Sequence, residues 1–528
     1  MNRDMITRKN ALMILGTASH VGKSILTAGL GRIFAGDGYR VAPFKAQNMS
    51  LNSAATPDGG GEIGRAQALQ AEACRAIPRV EMNPVLLKPS TDTGAQVILL
   101  GKIWGQVTAW DYHTRRVEQL FPQVLDAYKR LAKDHDLILL EGAGSPAEIN
   151  LREHDIVNMR MAHAADAACL LVGDIDRGGV FASLLGTLEL LEPEDRARIR
   201  GFVVNKFRGD ELLLRPGVTA MEDRLGLPCV GIVPYLHDLG LDEEDGVALE
   251  DRALAARRWK NFAPGPARSL RIGVIALPHM ANFTDFDALA LEPSVSLAFL
   301  QQPEEMPKAD LLVLPGSKQT LDDLAWLDRR GFAQELRRLC EKGTPVIGIC
   351  GGFQMLGSSI EDPHGIENQG QPCTRRGLGF LPVRTLLRAE KIVRRVQGYL
   401  RSEFIGLGLC PETRFQGYEI HVGETFYEPG SRALAEIQRQ GISGSVPDGA
   451  VSASGRVLGT YVHGFFDNDD FRHSFLAAAR RAVDLAPAES WAHVAAEREA
   501  RINRLADHLR KSLDMNLIRS WIITPPER

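Results

Sequence analysis

The sequence predicts two α/β domains in series, closed by a helical C-terminal extension. Two observations carry that expectation. Short apolar runs alternate with longer amphipathic stretches through both halves of the chain, the pattern of parallel strands joined by crossover helices. The alternation breaks once, in an Ala/Arg-rich stretch ending Phe262-Ala-Pro-Gly-Pro-Ala267, where neither helical nor strand periodicity survives. The expected division is a first domain over 1–255, a linker over 256–269, a second domain over 270–485 and the extension over 486–528.

In the first half, strands are expected at Ala11–Leu15, Arg40–Phe44, Leu137–Leu140, Ala168–Val172, Gly201–Val204 and Val230–Val233, with helices such as Ser24–Ala35 and Val117–Lys133 between them. The second half repeats the alternation from Leu270–Ala276 through Ala309–Leu314 and Pro345–Ile349 to Arg456–Val462. From Ala486 onward, Trp491, Val494, Ile502 and Leu505 are spaced among charges as in an amphipathic helix.

Composition narrows the function classes. Sixty-two basic against 66 acidic residues leave a net charge of -4, which gives no global footprint for nucleic acid or an anionic membrane. No apolar run approaches the ~20 residues that span a bilayer, and the start, Met1 to Asn10, is polar. The seven cysteines, Cys74, Cys169, Cys229, Cys340, Cys350, Cys373 and Cys410, form no CxxC pair, and their odd number argues against a disulfide framework. A cytoplasmic protein acting on small molecules is expected, with no nucleic-acid or membrane partner and its oligomeric state open.

Gly16-Thr-Ala-Ser-His-Val-Gly-Lys-Ser24 follows the first strand and opens the first helix, the context a phosphate-binding loop requires. Thr17, Val21, Gly22, Lys23 and Ser24 would cradle a polyphosphate, with Lys23 reaching the outer phosphates and the Ser24 hydroxyl on Mg²⁺. Thr17 stands where the usual spacing has its first glycine. Glu141 ends the apolar strand Leu137–Leu140 and is a second candidate Mg²⁺ ligand, unless it is simply a solvated acid at a strand end. Asp174 and Asp176 are weaker metal candidates, equally suited to binding helix N–H groups. Asn205-Lys206, at the end of another strand, is a candidate contact for a nucleotide base. This half resembles the dethiobiotin synthetase-like branch of phosphate-loop proteins, on Gly16–Ser24, Glu141-Gly-Ala-Gly144 and Asn205-Lys206. The resemblance implies ATP-driven activation of a carboxylate.

Pro345-Val-Ile-Gly-Ile-Cys350-Gly-Gly-Phe-Gln354 runs an apolar strand into a cysteine, two glycines and a helix-compatible stretch. A nucleophile on so tight a turn is exposed, and small neighbours tolerate its backbone. The Gly351 N–H, with one from Gly316 in Leu312-Val-Leu-Pro-Gly-Ser317, could stabilise an oxyanion. The base is expected to lie far off in sequence. His463, in Gly459-Thr-Tyr-Val-His-Gly464, is the candidate, while His421 in Gly417-Tyr-Glu-Ile-His421 shapes or lines the site. These residues resemble a class I glutamine amidotransferase domain over roughly Leu270 to Leu485. That family carries Glu two residues after the base, but here Gly464 and Phe465 follow His463. Either a dyad operates or another acid substitutes.

One half would activate a carboxylate and the other would release ammonia. Together with Pro43-Phe-Lys-Ala-Gln-Asn-Met-Ser-Leu-Asn-Ser53, Asn83-Pro-Val-Leu-Leu-Lys-Pro89 and Gly173-Asp-Ile-Asp-Arg-Gly-Gly179, the chain resembles the cobyrinic and cobyric acid amidating synthases, the cobyric acid branch above all. The resemblance implies amidation of the b, d, e and g carboxylates of adenosylcobyrinic acid a,c-diamide, a corrinoid substrate, with ATP, glutamine and Mg²⁺. Gln47, Asn48 and Asn52 would line the acceptor pocket, with His421 a further candidate for substrate binding. Two other readings stay open: a glutamine-dependent amidoligase for another polycarboxylate, and a regulatory or assembly ATPase with a degenerate second domain.

Overall fold

The computed structural model describes residues 10–522 except 58–59, 90–93, 238, 242–267, 369 and 403–413. The expected linker therefore lies outside the described residues but for its last two. The chain forms two compact units. The first comprises Met1–Ser50, Glu62–Glu244 and Arg498–Arg528, and the second Leu51–Gly61 with Asp245–Glu497. Two segments depart from a strictly serial division: residues 51–61 group with the second unit, and the chain from Arg498 returns to the first.

The core of the first unit is a six-stranded sheet, in the order Cys229–Pro234, Ile199–Phe207, Ala168–Asp174, Asn10–Gly16, Leu137–Glu141 and Val41–Phe44. Every pair is parallel. Such strands are covered on both faces, which is why they read as near-continuous apolar runs. Leu12, Ile14, Leu137, Leu139, Leu170, Val172 and Val203 are all wholly buried. A second sheet, Gln47–Met49, Val85–Pro89, Gly94–Leu99 and Lys102–Thr108, is mostly antiparallel.

The C-terminal chain supplies a layer of this unit. Within helix Val494–Ser512, Ile502, Leu505 and Leu509 join Leu26, Leu30 and Ile33 of helix Lys23–Gly36 in one apolar cluster. Met515 and Ile518 of the last helix, Met515–Ser520, extend it. The approach is close: a Cβ added at Gly29 would sit 2.4 Å from Leu509 Cδ1. Buried Arg32 binds the Glu499 carboxylate and donates to Asn503 Oδ1 at 3.0 Å.

The second unit has a sheet in the order Val295–Leu300, Leu270–Ile275, Leu311–Leu314, Val346–Ile349, Val457–Thr460 and Ala450–Val451. All but the last pair are parallel. Beside it stands a largely antiparallel sheet built on the long strands Val383–Leu400 and Arg414–Tyr427. Alternation of strands and helices gives no sign of that sheet. The run expected as one strand, Arg456–Val462, is divided between the two sheets: Val457–Thr460 stays in the parallel one, and Val462–His463 pairs antiparallel with Tyr418–Glu419. Among the described residues, no helix is long and apolar enough to cross a membrane, and all six described cysteines are free thiols.

Candidate functional site

The phosphate loop lies at the carboxyl end of Asn10–Gly16, the central strand, where open α/β sheets place their ligands. Gly22 caps helix Lys23–Gly36 at φ 100°, a conformation that side chains resist. A Cβ there would also sit 2.2 Å from Asn205 Nδ2, so glycine is required twice over. The loop is held from outside by residues expected to touch the nucleotide. The Asn205 amide donates to Val21 O at 2.7 Å, and Lys206 Nζ donates to His20 O at 2.6 Å while pairing with Asp174 at 2.9 Å. Thr17 is tied through its N–H to Val172 O at 3.0 Å.

Glu141 reaches this loop because its strand runs parallel to the first, with Ile14 in register with Glu141. Its carboxylate is buried, and it accepts from Ser24 Oγ at 2.7 Å, Lys45 Nζ at 3.1 Å and Gln70 Nε2 at 2.5 Å. It is no solvated strand end. Lys23 Nζ lies 2.9 Å from Ala18 O and 3.0 Å from Gly144 O, arched across the loop. Asp174 and Asp176 are held in ion pairs, the first with Lys206, which braces the loop, and the second with Arg208 at 3.0 Å. Sequence reasoning missed Lys45 and Gln70. Lys45 stood inside a stretch already singled out, and its signal was a lysine directly after an apolar strand. Gln70 is one glutamine on a helix of ordinary composition and had no signal. Asn48 Nδ2 donates to Gln67 Oε1 at 2.9 Å, and Gln47 Oε1 accepts from the Tyr112 hydroxyl.

In the second unit, Cys350 sits between strand Val346–Ile349 and the short helix Gly351–Leu356 at φ 52°, ψ −110°. Such a backbone costs a non-glycine residue about 1–3 kcal/mol and persists only where the surroundings impose it. They do so here: a Cβ on Gly352 would lie 2.0 Å from Leu314 O, and one on Gly351 2.9 Å from Ser317 N. Gly316 abuts the same point, since its Cβ would lie 3.4 Å from His463 Cε1 and 3.8 Å from Cys350 Cβ. The structure thus brings Cys350, His463, Gly316 and Gly351 together.

It also places an acid against the candidate base. His463 Nδ1 and Asp285 Oδ2 are 2.7 Å apart, and the Gly464 N–H donates to Asp285 Oδ1 at 3.1 Å. Asp285 lies on the short 3₁₀ turn Phe283–Phe286, far from the base in sequence and without a motif to mark it. A dyad is therefore not what the geometry presents. Burial alone would lower the His463 pKa, but the negative charges of Asp285 and Cys350 outweigh it and hold it up at about 10. The imidazolium form is the one this pocket favours, which suits a thiolate–imidazolium pair.

Tyr418 stacks on the His463 ring at 5.3 Å between centroids, and Cys350 Sγ lies 3.5 Å from Ile420 O. His421 stacks on Tyr461 at 3.8 Å and approaches Glu419 Oε1 at 3.4 Å. Glu419 is held down to about 2, because the Arg439 and His421 bonds more than offset its burial. The Tyr461 hydroxyl accepts from Gln354 Nε2 at 3.2 Å, so His421 is linked through Tyr461 to the helix that follows Cys350.

Comparison with known proteins agrees with both halves. Residues 12–249 match the CobQ/CobB/MinD/ParA nucleotide binding domain, and residues 271–471 match the CobB/CobQ-like glutamine amidotransferase domain. The chain is 45% identical to the cobyric acid synthase of Moorella thermoacetica, covering 96% of each chain. It is 45% identical to that of Syntrophobacter fumaroxidans, over 98% of this chain and 99% of the relative. With that of Salmonella typhimurium it shares 46% identity, over 96% of this chain and 97% of the relative.

Proposed function

The chain belongs to the cobyric acid synthase family, and from that premise we propose how its residues divide the work and which carboxylates they amidate. The protein is a glutamine-dependent amidoligase of cobalamin biosynthesis. Its acceptor is adenosylcobyrinic acid a,c-diamide, amidated at the b, d, e and g side chains to adenosylcobyric acid. What carries this reading is one chain that holds both a Ser24–Glu141 pair at the phosphate loop and a Cys350–His463–Asp285 constellation, aligned over 96% of its length with a cobyric acid synthase.

In the first unit, an acceptor carboxylate oxygen attacks the γ-phosphorus of ATP, and ADP leaves with the bridging oxygen's electrons. The product is an acyl phosphate, a far better electrophile than a carboxylate. The protein's share is positioning and charge neutralisation. The loop N–H groups and Lys23 hold the phosphates, and Lys45, bonded to Glu141, adds a second cation at the same point. Thr17, Val21 and Gly22 form the loop itself. Asn205 and Lys206 hold its shape and present the strand end where a base would lie. Gln47, Asn48 and Asn52 are assigned to the acceptor side.

Among the described residues, no three acids or histidines gather into a metal cluster. Mg²⁺ fits that arrangement, because it takes one or two protein oxygens and fills its octahedron with phosphate oxygens and water. Ser24 Oγ and the Glu141 carboxylate, 2.7 Å apart, would hold it. When bound, it neutralises charge on the transferred phosphoryl group.

In the second unit, the Cys350 thiolate attacks the side-chain carboxamide carbon of glutamine. N–H groups of Gly316 and Gly351 face the oxyanion, and the His463 imidazolium gives its proton to the departing nitrogen, releasing ammonia. Asp285 holds the ring's orientation and charge. Water, deprotonated by the now neutral His463, hydrolyses the glutamyl thioester to glutamate. Ammonia then displaces phosphate from the acyl phosphate and leaves the amide. The free thiols support a reducing, cytoplasmic setting.

The test is an end-point reaction with amide-¹⁵N glutamine, ATP, Mg²⁺ and adenosylcobyrinic acid a,c-diamide, counting labelled nitrogens per corrinoid by mass spectrometry. Four are expected. None, with glutaminase activity intact, would transfer the chemistry to another polycarboxylate.

A further inference from the structure

The 51–61 segment is bound to the second unit by a reciprocal pair of carboxamides. Asn282 Oδ1 accepts from the Ser53 N–H at 3.0 Å, and Asn52 Oδ1 accepts from the Phe283 N–H at 3.3 Å. Both asparagines are buried. Asn282 also stands at φ 53°, a left-handed conformation that asparagine tolerates better than other side-chain-bearing residues. It begins the turn that carries Asp285, and Asp285 N donates back to Asn282 O at 3.0 Å. The other end of its amide, Nδ2, lies 3.4 Å from His463 Nε2, the nitrogen that must serve Cys350. Farther along, Ala55 packs with Tyr418 and Ile420, the residues flanking His463 and Cys350.

An N–H can only donate, so the Ser53 amide dictates which way the Asn282 carboxamide points. Oδ1 must face Ser53, and the donor Nδ2 is left facing Nε2. A donor there competes with the Cys350 thiol for the Nε2 lone pair of the neutral ring. It meets the imidazolium donor to donor, and so opposes the thiolate–imidazolium pair that Asp285 favours. At 3.4 Å the contact is weak, and its worth is that of a modest hydrogen bond. If Ser53 withdraws, the amide is free to turn and present an oxygen to Nε2–H, which reverses the sign. The segment's ends continue into strands Gln47–Met49 and Glu62–Gly64, the first carrying Gln47 and Asn48, two of the residues assigned to the acceptor.

We propose that Asn282 is a positioning residue that makes the glutaminase base responsive to the 51–61 segment: clasped, it restrains ammonia release, and displaced, it frees it. The link to acceptor binding rests on the proposed function, but the clasp itself is testable without any acceptor.

The experiment is acceptor-free glutaminase kinetics on the full chain, with kcat and KM for glutamine read separately. Asn282→Gly suits the left-handed backbone and removes the amide. Asn282→Asp keeps an oxygen for Ser53 and places a second one at Nε2, and Asn52→Ala removes the other arm while leaving Asn282 in place. A rise in kcat of about five-fold is expected for Asn282→Asp, the effect of one ordinary hydrogen bond, with a smaller rise for Asn52→Ala and KM unchanged. If Asn282→Gly loses activity because the Asp285 turn loosens, a rise in either of the other two still supports the clasp. No rise in either overturns it. Failure of wild-type enzyme to label the corrinoid would instead sink the acceptor assignment and leave these rates standing.

Discussion

The phosphate loop and the cysteine elbow reach their chemistry by opposite routes. The loop is local: consecutive residues from Gly16 to Ser24 leave one strand and enter one helix, and the rest of the unit braces what the local chain already makes. The elbow is collected. Cys350 comes from a strand–helix turn, His463 from the antiparallel sheet, Asp285 from a 3₁₀ turn and Asn282 from the residue that caps it. A local site keeps its geometry as long as its strand and helix do. A collected site depends on several segments at once, and so it can be adjusted through any of them.

The largest effect that separates the two is Cys350→Ala. Glutamine-dependent amide formation should fall by about 10⁴-fold or more, the loss typical of removing a catalytic nucleophile. Formation from free ammonia should persist, because the phosphate site does not use the thiol. Parallel assays with glutamine and with ammonium chloride measure this, and equal loss in both would mean the regions do not act separately.

Asp285→Asn tests how far the collected site relies on its remote acid. The His463 pKa is held at about 10 chiefly against the lowering effect of burial, with Asp285 the first of the charges that raise it. With the charge gone, burial wins and the pKa falls. The ion-paired form is then lost at a lower pH, so the alkaline limb of the glutaminase kcat/KM profile should move down, with a rate loss of about 10²–10⁴-fold. An unmoved limb would mean that Asp285 only fills space.

Much of this division was legible in the residues. The strand–loop–helix of Gly16–Ser24 and the turn at Cys350 are contiguous, and contiguous patterns carry their own geometry. His463 was reachable because its strand ends in a glycine. Asp285 was not: Asn282-Phe-Thr-Asp285 has no periodicity, and only tertiary packing brings it to His463. The long antiparallel strands were hidden for a related reason. Val383–Leu400 buries only part of its length, in an irregular pattern, so the two-residue alternation that marks a half-buried strand is broken. The return of residues 498–522 to the first unit rests on which core fits the stripe Ile502, Leu505, Leu509, and no helical pattern names its partner.

A smaller effect is expected from Glu141→Gln, which tests whether the local site needs anything beyond its loop. The substitution keeps the shape and removes the charge that Ser24, Lys45 and Gln70 converge on. Amide formation from free ammonia should fall by about 100-fold, with most of the loss recoverable in apparent affinity by raising Mg²⁺. Acceptor-free glutaminase should stay at the wild-type rate. If glutaminase fell as well, the buried carboxylate would be a structural support rather than a phosphate-site residue.

The smallest functional effect should come from the seam between helix Lys23–Gly36 and the C-terminal helix, where the local site leans on distant chain. Leu509 is 1% exposed and lies directly over Gly29. Leu509→Ala should destabilise the first unit by about 2–5 kcal/mol, through lost burial and the cavity left behind, while glutamine hydrolysis continues unchanged. Gly29→Ala alone gains helix propensity worth up to about 1 kcal/mol. Its Cβ would nevertheless lie 2.4 Å from Leu509 Cδ1, and overpacking of that kind costs about 1–3 kcal/mol, so the net change should be a loss. In the double variant the clash is removed and the new methyl group enters the space that Leu509 vacated. It should therefore be more stable than the sum of the single changes predicts, by a coupling of about 1 kcal/mol or more. Urea unfolding followed by loss of ATP binding measures all three. Strict additivity would mean that the C-terminal helix only rests on the phosphate-loop helix and does not hold it.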